Sequence, residues 1–109
     1  MPWGRARGRA GARLYRAQWY REPSDAEMRT YLDRGAPDGS WAIIACQTVA
    51  NFHVENCQEM EEYPLGSGLA RGLRRAAWQF KIWPPRVDGK PQIGTWVSIR
   101  FDFGRKGGD

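Results

Sequence analysis

Two periods of apolar residues run through the second half of the chain. Leu69, Gly72, Leu73, Ala76 and Phe80 recur at helical spacing, whereas Thr95, Val97, Ile99, Phe101 and Phe103 alternate with Trp96, Ser98, Arg100 and Asp102. The first pattern predicts an amphipathic helix over residues 68–79, with Ser67 as its N-cap and Arg71, Arg74 and Arg75 on its solvated side. The second predicts a long strand over residues 95–103 whose apolar face meets that helix. A turn-rich connection, Pro84-Pro85-Arg86-Val87-Asp88-Gly89-Lys90-Pro91, joins them. Trp78 and Trp83 are expected to pack the helix end over the sheet. Trp96 lies on the strand face turned from the helices, and so is expected to be exposed or covered by a second copy.

Upstream, Tyr15 to Pro23 mixes aromatic and charged residues and is expected to lie extended against the domain, with Trp19 and Tyr20 tucked in. Ser24 followed three residues later by Glu27 is a capping-box signature for a short helix. Met28, Tyr31 and Leu32 form its apolar face, and Gly35 and Pro37 end it. Residues 41–49 are rich in strand formers, and residues 53–60 read as their hairpin partner. With a turn centred on Asn51 and Phe52, Val49 faces Val54 and Cys46 faces Cys57. Opposed residues in antiparallel strands have Cβ atoms about 4.5–5.5 Å apart, within reach of a disulfide. A disulfide favours an oxidising compartment; two reduced thiols are the alternative. Glu59, Glu61 and Glu62 read as a solvated strand end.

The predicted order is therefore helix, strand, strand, helix, strand. It implies a two-layer α+β domain in which two helices cover a three-stranded antiparallel sheet of order 2-1-3. The last strand would then lie at an edge. With 109 residues the chain is long enough for one domain and too short for two. Six Trp, four Tyr and four Phe supply bulk that a small core needs. The boundaries expected are a basic Gly/Ala/Arg-rich linker or tail over residues 1–22, disordered at its start, a domain over residues 23–104 and a flexible tail over residues 105–109.

A net charge of +5 suggests a nucleic-acid partner until it is divided along the chain. Residues 1–23 hold Arg5, Arg7, Arg9, Arg13, Arg16 and Arg21 against Glu22, which accounts for the whole +5. From residue 24 onward 11 basic side chains balance 11 acidic ones. Arginine interleaved with glycine is what a solvated linker looks like, so nucleic acid is not expected as a partner. No apolar run approaches the ~20 residues that cross a bilayer, and the amino terminus lacks the apolar middle of a secretory signal.

Catalytic chemistry has little to stand on. His53 is the sole histidine, and no motif gives it a nucleophile or an orienting carboxylate. Cys46, His53 and Cys57 are three possible metal ligands whose spacing is not that of a structural zinc site. Neither an enzyme, a metal nor a cofactor is expected.

Three stretches carry a resemblance to a known family. Arg74-Arg75-Ala76-Ala77-Trp78-Gln79-Phe80, the Pro84-to-Pro91 connection and Trp96-Val97-Ser98-Ile99-Arg100-Phe101-Asp102-Phe103 resemble the carboxy-terminal domain of TonB energy transducers, of the TonB/TolA-like family. Gln18-Trp19-Tyr20-Arg21-Glu22-Pro23 echoes the segment that precedes the first helix in that family. The resemblance implies a periplasmic binding module linking an inner-membrane proton-driven motor to outer-membrane receptors in nutrient uptake. In a full-length transducer an upstream helix anchors it to the inner membrane, where it meets the motor proteins. It further implies that an extended receptor segment pairs with the edge of the last strand by β-augmentation. On this chain that edge is Thr95, Trp96, Val97, Ser98, Ile99 and Arg100. Trp96 and Arg100 would supply side-chain contacts, and Arg86 and Lys90 would meet acidic groups of the partner. A second reading is an envelope-structural domain of the same fold that forms a homodimer through its strand edges. A third, a small basic nucleic-acid-binding protein, rests on the tail alone.

Overall fold

The computed structural model describes residues 14–32 and 35–103. The Arg-rich start over residues 1–13 and the tail over residues 104–109 lie outside the described residues. In chain order the elements are β1 (Leu14–Arg16), β2 (Gln18–Arg21), α1 (Asp25–Arg29), β3 (Trp41–Thr48), β4 (Val54–Tyr63), α2 (Leu69–Ala76), β5 (Lys81–Trp83), β6 (Arg86–Val87), β7 (Lys90–Pro91) and β8 (Trp96–Asp102). Short 3₁₀ turns occupy Ala50–Phe52 and Ala77–Gln79.

Local chemistry explains the helix ends. The Ser24 hydroxyl accepts from the Glu27 amide at 3.1 Å, and the Glu27 carboxylate accepts from the Ser24 amide at 2.9 Å. This reciprocal box satisfies two otherwise orphaned donors of α1. At α2 the expected cap is replaced. Gly68, with φ of 83°, takes the N-cap position, and the Ser67 hydroxyl sits a long 3.4 Å from the Leu69 amide. The first-turn amides are met instead by Glu62 of β4, which accepts from Gly68 at 3.3 Å and Ala70 at 2.9 Å. A carboxylate at a helix N-terminus also opposes the positive end of the dipole. Glu59 holds Arg74 of the same helix at 2.8 Å. Two of the three glutamates read as a solvated strand end thus fasten α2 to β4.

The β3–β4 hairpin departs from a simple register. Asn51 and Phe52 both have positive φ, and Thr48, not Val49, pairs with Val54. An irregularity between Ala45 and Gln47, where Asn56 has φ of 56°, restores the expected alignment, so Ala45 faces Gln58 and Ile44 faces Glu59. The Cys46–Cys57 disulfide forms beside that bulge, with Cα atoms 4.1 Å apart. A second shift brings Trp41 opposite Tyr63.

The main sheet has four strands in the order β1-β8-β3-β4, which corrects the expected three-stranded 2-1-3 sheet. β3 pairs antiparallel with β4 on one side and β8 on the other, but β8 is interior at its beginning. β1 runs parallel to it, aligning Leu14 with Trp96, Tyr15 with Val97 and Arg16 with Ser98. The cause is visible in the arm itself. Tyr15, Ala17 and Trp19 alternate with Arg16 and Gln18, and these three side chains pack against the core. Residues 14–21, placed ahead of the domain by composition, therefore belong to its sheets. β2 pairs antiparallel with β5, and β6 with β7. The connection expected to be a loop thus holds a small ribbon, turned by Asp88 and Gly89 at positive φ.

Both helices cover one face of the sheet. Ala42, Ile44 and Cys46 of β3 and Val97, Ile99 and Phe101 of β8 meet Met28, Leu69, Leu73 and Ala76 there. Each fully buried aliphatic side chain contributes about 1.5–3 kcal/mol. Gly72 sets the approach of α2 to the segment after α1. A Cβ there would lie 2.7 Å from Leu32 Cδ2 and 2.8 Å from the Tyr31 carbonyl oxygen. Trp19 closes one end of this layer, edge-on to Phe80 at 5.1 Å and to Phe101 at 6.4 Å.

Candidate functional site

β8 presents its two sides differently along its length. In an extended strand the amide and carbonyl of one residue point to the same side, so alternate residues serve alternate neighbours. Ser98 turns its carbonyl away from β3, where it accepts from the Ala17 amide at 2.8 Å. The Ser98 amide lies on that same side. Register pairing of β1 ends at Ser98, so the arm covers only the first part of the strand edge.

Around this edge the expected docking residues scatter. Thr95 precedes β8 and is bound to β3, its carbonyl accepting from the Thr48 amide at 2.9 Å and its amide donating to the Thr48 hydroxyl at 3.2 Å. Val97 and Ile99 are fully buried on the helix side. Trp96 is only 7% exposed, which corrects the expectation of an open or dimer-covered ring. Its ladder neighbours, Leu14 on one side and Gln47 on the other, share its face of the sheet. Ser98 is half-buried, and Arg100 is exposed. The Arg100 guanidinium lies 4.6 Å over the Trp41 ring and donates to Asp102 at 3.0 Å. Trp41 in turn stacks on Tyr63.

Arg86 and Lys90 sit on β6 and β7, both exposed. Arg86 is brought to the arm: it lines a cavity of about 420 Å³ with Tyr15, Arg16, Gln18, Trp83 and Pro85. Lys90 does not line that cavity. Cys46 of β3 is joined to Cys57 of β4, which lies across β3 from β8, so the disulfide links the strands of the hairpin and not the β8 edge.

One cluster escaped the sequence. Tyr20, Phe52 and Trp83 form an aromatic trio, with Tyr20 stacked on Phe52 at 4.7 Å and Trp83 edge-on to both at 4.9 and 5.2 Å. Trp83 is therefore drawn outward, 42% exposed, instead of packing over the sheet. Trp78 is 67% exposed and donates its indole N–H to the Tyr31 hydroxyl. The 3₁₀ turn that ends α2 is responsible: it breaks the helical period and turns Ala77 and Phe80 inward in its place. Phe52 has φ of 65°, an uncommon backbone for a bulky residue costing about 1–3 kcal/mol. Ring contacts of about 0.5–1.5 kcal/mol each offset it.

The arm has one further tie. Arg21, at the end of β2, donates to Glu27 of α1 at 3.1 Å. The Glu27 carboxyl is held below its ordinary 4.5, first by the Ser24 amide and then by the Arg21 guanidinium. Among the described residues no group of three or more His, Cys, Asp or Glu side chains could hold a metal ion. No described helix is long and apolar enough to cross a membrane.

No family model, curated protein or solved structure matches this chain.

Proposed function

We propose that this chain is a TonB-like periplasmic binding module that couples inner-membrane proton-motive energy to outer-membrane receptors. A receptor segment docks on the outer edge of β8 by β-augmentation. The observation that supports this function is the strand already seated there. Leu14, Tyr15 and Arg16 lie extended and parallel against β8, and the amide of Ala17, the next residue, donates to the Ser98 carbonyl. Such an edge takes an added strand through backbone groups and selects it through neighbouring side chains. The disulfide suits an oxidising compartment.

Ser98→Pro tests the docking edge. It removes an outward-facing amide while the neighbouring Val97 and Ile99 keep their pairing with β3. Synthetic peptides carrying the periplasm-facing amino-terminal segments of outer-membrane receptors should bind the full chain and lose at least tenfold in affinity for the folded variant. Unchanged affinity would rule out the β8 edge. A self-associating envelope domain is the second reading. The edge it would use is β4, the other outer strand, and Glu55 and Glu61 weigh against setting two copies together there.

A further inference from the structure

On the edge-docking function just given, we propose that β1 is the resident occupant of the β8 edge, a segment of the chain itself that must leave before a partner segment can dock. The same seat cannot hold two strands. Leu14, Tyr15 and Arg16 take the outward side of Trp96, Val97 and Ser98, and the Ala17 amide takes the Ser98 carbonyl at 2.8 Å.

Several features make β1 a removable strand and not a fixture of the sheet. It is three residues long and parallel to its neighbour, the weaker of the two pairings per residue. None of its residues is fully buried. The chain that follows is anchored independently. β2 pairs with β5, and Trp19 contacts Phe80 and Phe101. Ala17 alone separates β1 from that anchor, so β1 can swing away about this point while β2 keeps the end of the core closed. On the flank of β1 a cavity of about 420 Å³, lined by Trp83, Pro84, Pro85 and Arg86 among others, gives an exchanging segment room.

The resident strand also describes the partner that fits. It is an extended segment entering in the direction of β8. Where Tyr15 and Ala17 now stand it carries aromatic or small apolar residues toward the helix side, where both pack against the core. Where Arg16 stands it tolerates a charged one, because that position is exposed. Affinity for such a segment is reduced by the fraction of molecules whose edge is closed.

The test uses the full chain and a fluorescent synthetic peptide with the sequence of residues 12–18. Ala17→Pro removes the amide that donates to Ser98. With one ladder bond fewer, the peptide should bind the variant about tenfold more tightly than the wild type. No difference between the two proteins, whether both bind or neither does, overturns the proposal. A second measurement does not depend on the variant. In native-state hydrogen exchange of the wild type, the Ala17 amide should exchange at least tenfold faster than the amides of Val97 and Ile99. Equal protection would mean that β1 opens only when the whole domain unfolds, and would overturn the proposal by itself. Tight binding of receptor peptides that Ala17→Pro leaves unchanged would spare the transducer function and remove this inference. Faster Ala17 exchange and tighter self-peptide binding, with no affinity for receptor peptides, would do the reverse.

Discussion

The two outer strands of the sheet are held in opposite ways. β4 is ten residues long, covalently joined to β3 through Cys57 and tied to α2 through Glu59 and Glu62. β1 is three residues long, joins β8 through main-chain pairing, and is followed by an arm whose ion pair, Arg21 with Glu27, lies at the surface. A sheet edge is a hazard wherever it is open. Here one outer strand is fixed by permanent ties, and the other is held lightly. The difference shows where the molecule can change without losing its core.

The largest expected effect lies on the fixed edge. Replacing both cysteines, Cys46→Ala with Cys57→Ser, should cost about 3 kcal/mol, the scale for a disulfide closing a short loop. For a domain of this size that is a fall in Tm of about 10–20 °C in a thermal melt. A fall smaller than that caused by Ala17→Pro would break the comparison. Next, Glu62→Ala should cost about 1–2 kcal/mol by leaving the Gly68 and Ala70 amides without their acceptor. Glu62→Gln, which keeps an acceptor oxygen, should recover part of it in chemical denaturation. The smallest effect belongs to the arm. Because folding lowers the Glu27 pKa below 4.5, its contribution is present in full above that value and disappears as pH falls through the folded pKa. The difference in Tm between wild type and Glu27→Gln should therefore be seen at neutral pH and vanish in acid. A difference that persists at low pH would place the Arg21 tie elsewhere.

Much of the fold was legible because it rests on local signals. Ser24 and Glu27 mark a helix start, the alternation from Trp96 to Phe103 marks a strand, and the hairpin brings Cys46 and Cys57 together, although the turn register is off by one residue until the bulge at Cys46 restores it. What was not legible depends on partners distant in sequence. Parallel pairing leaves no turn between its strands, so nothing near Leu14 points to Trp96. The period-two signal was present all the same in Tyr15, Ala17 and Trp19, masked by the basic run that leads into it through Arg13 and Arg16. Trp96 was placed on the correct face of its strand, yet its burial depends on neighbours in β1 and β3. Glu62 was read as solvated because the amides it serves belong to a helix eight residues on. At the candidate site the strand was legible, and its occupied edge was not.

A single residue, Ala17, joins β1 to the anchored β2, and that short link sets a local concentration. A segment tethered so closely meets its own seat at an effective concentration in the millimolar range or above, however dilute the protein becomes. Any free segment competes against that value, so dilution weakens the visitor and leaves the resident untouched.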